Sequence, residues 1–476
     1  MEFEYPPEPG PAQPSPPPAP SAPSTPEARR RRPVVLLLAL AVLLVAAGLV
    51  ALAVRDGDDE GAEVGLPGGE APSAGAGGPP PSTPGTAGSN ASPAQRRVFD
   101  EIMGQVAAIR GLQWSGPLDL EVVPRAELAR KVQEATDRDS DPAQLAAEEA
   151  TLKLLGFVPD DLDYKDLIDD LLAEQVLGYY DPETKELFVG SDGGDELDAR
   201  TRWIIAHEMT HALTDQVFGY GPATIRLDKE DRAEELAAYS ALLEGDATLT
   251  QTQWAAQHLT PAQQAALLLG GGGNEVAAFL RAPPYIREAL FFPYNEGLTF
   301  VKGLYDDGGW ARVNAAYRNP PTSTEHILNQ QTYESGQPSA SPALPDVAAA
   351  SGCTGLRTGI VGQFDMRFLL DQHLPQADAD RAAEGWDGDA FSLVRCGSAL
   401  GLVDRWRTDG NGEAARLVEA LNRWAGPWSG GPAPGSDGRF SGRTGAGRIV
   451  RNGNIVDIVL AENAETADRL ARALAG

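Results

Sequence analysis

The sequence predicts an α+β protein whose folded part is held at a membrane by one N-terminal helix. Three observations predict it. Short alternating or β-branched segments are interspersed with longer segments of helical period. One run of 21 apolar residues, 34–54, carries no charge. Much of the excess in a total of 52 glycines and 38 prolines falls before residue 94. The balance of 39 basic against 68 acidic residues, a net −29, argues against a general nucleic-acid binder, which needs a basic footprint. It suits a soluble, self-repelling ectodomain. Two cysteines exclude a disulfide-dense scaffold and any CxxC zinc site.

Residues 1–32 read as a disordered, proline-rich cytoplasmic tail. It ends in Arg29, Arg30, Arg31 and Arg32. Residues 33–54 read as a transmembrane helix, since 21 residues at about 1.5 Å each span roughly 31 Å of hydrocarbon. The arginines before it and Asp56, Asp58, Asp59 and Glu60 after it put the N-terminus in the cytoplasm and the C-terminus outside the cell. A cleaved signal peptide ending near Ala51-Leu52-Ala53 is the competing reading, disfavoured by the long apolar run and the polar leader. Residues 55–93 read as a flexible Gly/Pro/Ser/Ala linker.

The folded part begins near residue 94. Helices are expected at 95–110, 126–135, 142–155 and 164–172, and a strand at 118–123. Asp141-Pro142 is an N-cap followed by N1 proline. Segments 176–180 and 186–189, joined by Asp-Pro-Glu-Thr-Lys, read as a hairpin, and 196–217 as the helix after it.

That helix contains His207-Glu208-Met-Thr-His211. Residues i and i+4 share one helix face, so both imidazoles can bind one zinc at about 2.0–2.1 Å. Glu208 adjoins the open position, where a carboxylate can take a proton from zinc-activated water and pass it to a leaving amine. One zinc ion per chain is expected. A third protein ligand is needed. No histidine stands six residues after His211, and His258, His326 and His373 are distant and isolated. A glutamate from the helix expected at 233–257 is therefore sought. Glu244 follows the apolar run Ala241-Leu242-Leu243 and precedes Gly245, a residue that costs a helix about 1 kcal/mol against alanine. A small residue there would suit close helix–helix approach. Glu230, Glu234 and Glu235 read as a solvated face, and Glu296 is a rival ligand ranked below Glu244. Asp215 and Asp246 are candidates to hydrogen-bond a ligand histidine. Tyr294, Tyr239 and His326 are candidates for stabilising a developing oxyanion.

The motif His207-Glu208-x-x-His211 with a later Glu244-Gly-Asp-Ala resembles the gluzincin group of HExxH zinc metallopeptidases. The segment HEMTHALTD at 207–215 is similar to the active-site helix of thermolysin-like enzymes. Three further stretches resemble a little-characterised bacterial, membrane-linked family of that group: VLGYYDPET at 176–184, FPYNEGLTFV at 292–301 with PPTSTEH at 320–326, and GWDGD at 385–389. The resemblance covers most of 94–400. It implies a zincin-like fold for 94–335, zinc, Glu208 as general base, and peptide-bond hydrolysis. It also implies that the hairpin supplies an edge strand, here 187–190, along which an extended substrate adds by main-chain hydrogen bonds.

Residues 336–476 read as a smaller C-terminal α+β module. Its expected strands are 390–396, 399–406, 447–451 and 455–460, and its helices 412–424 and 464–475. Cys353 and Cys396 lie outside the membrane on this topology and are a candidate disulfide. The function expected is a single-pass, membrane-anchored extracellular zinc metallopeptidase acting on a peptide or protein. The alternatives are an inactive zincin-fold scaffold at the cell surface and a zinc hydrolase of non-peptide amides.

Overall fold

The two hydrophobic periods read from the sequence sort into two sheets packed among helices. The computed structural model describes residues 85–475, except 88–89, 140, 176, 192–193, 195 and 270–279. The expected tail, membrane helix and most of the linker fall outside the described residues. Among the described residues no helix is long and apolar enough to cross a membrane.

The first half holds β1 (Thr86–Ala87), α1 (Pro93–Arg110), β2 (Leu118–Val123), α2 (Arg125–Asp139), α3 (Pro142–Leu155), α4 (Tyr164–Gln175), β3 (Gly178–Asp181) and β4 (Glu186–Gly190). Then come α5 (Ala199–Phe218), α6 (Gly221–Lys229), α7 (Ala233–His258), α8 (Pro261–Leu269) and α9 (Pro284–Arg318), the last broken at Gly308 and Gly309. The second half holds α10 (Thr324–Leu328), α11 (Gln330–Ser335), α12 (Val347–Ser351), β5 (Thr354–Gly359), α13 (Gly362–Asp371), α14 (Gln376–Ala383), β6 (Trp386–Cys396) and β7 (Ala399–Thr408). It ends with α15 (Asn411–Ser429), β8 (Arg439–Ser441), β9 (Ala446–Asn452), β10 (Ile455–Ala461) and α16 (Ala464–Ala475).

The first sheet has the order β1-β2-β4-β3. β2 runs parallel to β4, and β3 pairs antiparallel with β4. The hairpin strand expected at the edge is therefore interior: residues 187–190 are hydrogen-bonded on both sides. β3 is the outer strand on the hairpin side, and β1 is the other edge. The second sheet, β5-β6-β7-β10-β9-β8, is antiparallel throughout. The four strands expected in the C-terminal part lie in it as two hairpins, β6–β7 and β9–β10, joined through β7 and β10. One buried cluster runs from Phe99 and Leu187 to Trp406 and Leu460, so the apolar interior continues across residues 335–336. Cys353, just before β5, and Cys396, at the end of β6, form a disulfide.

α7 is buried along both its faces. It crosses α9 where two glycines meet. A Cβ on Gly245 would stand 2.1 Å from the Gly297 carbonyl oxygen, and one on Gly297 would stand 2.2 Å from that of Ala241. Contact of the two backbones fixes the depth at which Glu244 sits. Gly245→Ala should gain about 1 kcal/mol of helix propensity and lose more, about 1–3 kcal/mol, to overpacking. Denaturant unfolding should show a net loss.

Buried carboxylates line the junction of the two halves. Asp389 accepts from the N–H of Val361 (2.7 Å), the N–H of Gly362 (2.9 Å) and the indole of Trp386 (2.8 Å). That ties the start of β6 to the N-terminus of α13. Glu234, expected on a solvated face, is 7% exposed and accepts from the N–H and hydroxyl of Thr324, 2.7 Å each. It closes the α7–α10 contact. Burial pushes Glu234 up to about 8 and Asp389 up to about 6. Asp365 and Asp389 add to the rise at Glu234, while Thr324 opposes it. A carboxyl raised in the folded state favours its protonated form there. Its contribution is complete below the unfolded carboxylate range and is lost as pH rises through the folded value. The unfolding midpoint should therefore fall between pH 5 and pH 8.5, and Glu234→Gln should flatten the upper part of that fall.

Candidate metal centre

Helix α5 is capped at its start by Asp198, whose side chain accepts from the N–H of Thr201 at 2.7 Å. It ends at Gly219 in the left-handed region, φ 68°. Between them, residues 203–215 are all buried, so both faces of the central turns are packed. His207 and His211 project from one of these faces towards α7. The Nε2 atoms of the two histidines are 3.1 Å apart. Glu244 Oε2 lies 3.1 Å from His207 Nε2 and 3.3 Å from His211 Nε2. Among the described residues this is the one group of three or more His, Cys, Asp or Glu side chains whose ligand atoms gather within 4.8 Å.

The three atoms form a nearly equilateral triangle. Tetrahedral ligands at about 2.0–2.1 Å from one ion stand about 3.3–3.4 Å apart, so the edges fit zinc. Two imidazole lone pairs and a carboxylate converging in the interior also demand a positive charge between them. With protons alone, burial disfavours charge on His211, but Glu244 outweighs it and lifts the imidazole to about 9. Burial likewise works against the Glu244 carboxylate, yet the two histidines hold it at about 2. His207, His211 and Glu244 could hold a metal ion.

Glu208 adjoins this triangle and is 3% exposed. Its Oε2 accepts the N–H of Tyr180 on edge strand β3 at 3.0 Å. Its Oε1 is buried with no hydrogen-bond partner. Burial raises its carboxyl above the ordinary range, and His207 and His211 pull it back. Gly178 lies against it: an added Cβ would meet Glu208 Cγ and Ile204 Cγ2 at 3.1 Å each. Tyr294, on α9, stacks beside His207 with ring centroids 6.3 Å apart. Burial and then the Glu244 charge keep its phenol protonated well above the usual range.

The other proposed roles fall differently. Asp215 bonds no histidine. It accepts from the Tyr180 hydroxyl (2.8 Å), Lys185 Nζ (2.5 Å) and the Gly221 N–H (3.0 Å), clamping the β3–β4 hairpin to α5. Asp246 bonds no histidine either. It pairs with Arg110 (Nε–Oδ1 2.8 Å, Nη2–Oδ2 3.0 Å) and accepts from the Tyr317 hydroxyl at 2.7 Å. Both carboxylates had nearer donors than the imidazoles. His326 lies away from the cluster. Its Nδ1 accepts from the Thr322 N–H at 3.2 Å, and its Nε2 lies 3.4 Å from the Gln337 carbonyl oxygen. Tyr239 packs in the α7–α9 core, and Glu296 faces Arg367 at 3.8 Å, so neither joins the ligand triangle. Tyr180 and Arg110 were missed. Arg110 had left a signal: it continues the Ile102, Val106 spacing on α1, where an apolar residue is expected.

Comparison with known proteins adds little to this geometry. Residues 353–471 match a domain of unknown function, DUF8575, which includes none of the three candidate ligands. No curated protein matches the chain. The crystal structure of a proposed hydrolase with a novel fold from Chloroflexus aurantiacus is similar over 50% of this chain and 87% of its own. Identity is 16% and the TM-score 0.33.

Proposed function

We propose that this protein is a zinc metallopeptidase of the gluzincin type, anchored by residues 34–54 with its catalytic part outside the cell. The observation that carries the reading is the His207–His211–Glu244 triangle, with edges of 3.1–3.3 Å, beside a carboxylate that has a free oxygen. Zinc held there would polarise a carbonyl and lower the pKa of water. Glu208 is the proton acceptor. The Tyr180 N–H fixes Oε2, and Oε1 is left to take a proton and return it to the departing amine. Tyr294 offers a phenol hydrogen beside Glu244 and His207 to an oxygen gaining charge.

A second reading draws on closure of the site. His207, Glu208, His211 and Glu244 are each no more than 6% exposed, which suits a metal that braces a scaffold. Elemental analysis of the purified full chain tests the metal common to both. About one zinc per chain is expected, lost in His211→Ala. A folded, zinc-supplied sample without zinc would overturn both.

A further inference from the structure

A second site lies near the ligand cluster but shares none of its residues. N-terminal to their glycine crossing, α7 and α9 part around a cavity of about 190 Å³. Ala237 on its wall precedes Glu244 by seven residues, about 10 Å of helix. The same wall holds Pro293, the residue before Tyr294.

The chemistry of this cavity is lopsided. Glu148, Glu234 and Asp365 line it, and the described lining contains no lysine, arginine or histidine. Neutral groups donate to these carboxylates. The Tyr164 hydroxyl reaches Glu148 Oε1 at 3.1 Å, the Tyr285 hydroxyl reaches Asp365 Oδ1 at 2.9 Å, and Thr324 serves Glu234. Arg357, whose charge reaches Asp365, lies in the adjoining groove, 5.8 Å over Phe391 and 4.0 Å from Asp231. The rest of the wall is apolar and aromatic. Phe292 and Phe364 pack at 4.7 Å, with Tyr285 6.4 Å from Phe364.

We propose that this cavity binds an organic cation, an ammonium or guanidinium on a short apolar stem. Among the described residues these carboxylates do not gather within 4.8 Å as the metal ligands do, so they form no bare-ion cluster. The volume holds about six waters at ~30 Å³ each, which is room for one side chain or a small amine. Aromatic rings take the stem and favour a cation over their faces. Entry is from a groove of about 920 Å³ that shares Ala233, Glu234 and Ile360 with the cavity. Glu230, Asp231, Glu235 and Asp346 on that groove outnumber Arg232 and Arg357, so its charge favours a cation's approach. Burial holds Glu234 up at about 8, and holds Asp365 at about 7 against the lowering pull of the Tyr285 hydrogen bond and the Arg357 charge. None of this depends on metal chemistry.

Calorimetric titration of the full chain at pH 8.5 with n-pentylamine and n-pentanol tests it. The amine should bind once per chain, and at least about tenfold more tightly than the alcohol, a difference of about 1.4 kcal/mol. Glu234→Gln should remove that preference while leaving binding of the alcohol unchanged. Asp365→Asn gives the same test at a second position. If both variants unfold, the amine–alcohol comparison on the unaltered chain decides. Equal affinities, or no amine binding, would overturn the proposal. The His211→Ala protein should bind the amine as the unaltered chain does, which separates this result from the fate of the peptidase reading. A blocked Ala-Lys-Ala peptide binding more tightly than pentylamine identifies the source as a basic side chain; the reverse identifies a free amine.

Discussion

On the zinc-peptidase reading, replacing Glu208 by Gln should lower peptide hydrolysis by roughly 10²–10⁴-fold with zinc content unchanged. The amide keeps the shape of the carboxylate, and its oxygen can still accept the Tyr180 N–H bond that the structure gives Oε2. It cannot take up a proton on the side that Oε1 occupies. The ligand triangle uses His207, His211 and Glu244 only, so metal binding is left intact. Hydrolysis of a peptide library and elemental analysis of the same sample measure both quantities. Hydrolysis at the unaltered rate would remove Glu208 from the reaction. Loss of zinc would make Glu208 a ligand, contrary to the geometry.

Arg110→Met should destabilise the fold by about 3–5 kcal/mol, the cost of leaving one member of a buried ion pair alone. Arg110 and Asp246 have fully buried side chains. The guanidinium also donates to Asn314 Oδ1 at 2.9 Å and lies 4.0 Å over the Trp310 ring. Removing it strands the Asp246 carboxylate with the Tyr317 hydroxyl and a long contact from Thr250. A native domain has only about 5–15 kcal/mol in hand, so the variant should unfold at much lower denaturant. Adding Asp246→Asn should restore part of the loss, because the stranded charge is gone. Denaturant midpoints of the single and double variants measure it. A loss below about 1 kcal/mol for the single variant would show that the pair is not needed.

How much was legible varied with the range of the interaction. The strand at 118–123 and the helix at 142–155 were readable to the residue, because period, caps and turn residues are local. The histidines were readable because i,i+4 geometry fixes them within one helix. Glu244 was readable indirectly, through the unfavourable glycine beside it, and the Gly245–Gly297 contact supplies the reason. Strand order was not legible. A hairpin signature places β3 beside β4 but says nothing about which of them also pairs with β2, some 60 residues away, and the edge was assigned to the wrong strand. Partners of buried carboxylates were hidden too, although Arg110 shows as a charge at an apolar position of α1. Asp215, Asp246 and Glu234 are held by Tyr180, Arg110 and Thr324, from 35 to 136 residues distant. A single sequence carries no local mark of such pairings.

Glu244 stands one residue from the point where the backbones of α7 and α9 touch, so the same packing that builds the core brings the third ligand within reach of the histidines. On the zinc reading the ion binds only the folded chain. Ligation and folding are then thermodynamically linked, and each tenfold rise in free zinc above the dissociation constant adds about 1.4 kcal/mol to stability. Scarcity moves the same chain towards its unfolded population and towards proteolysis. The amount of intact protein would then follow zinc supply, with no separate sensor.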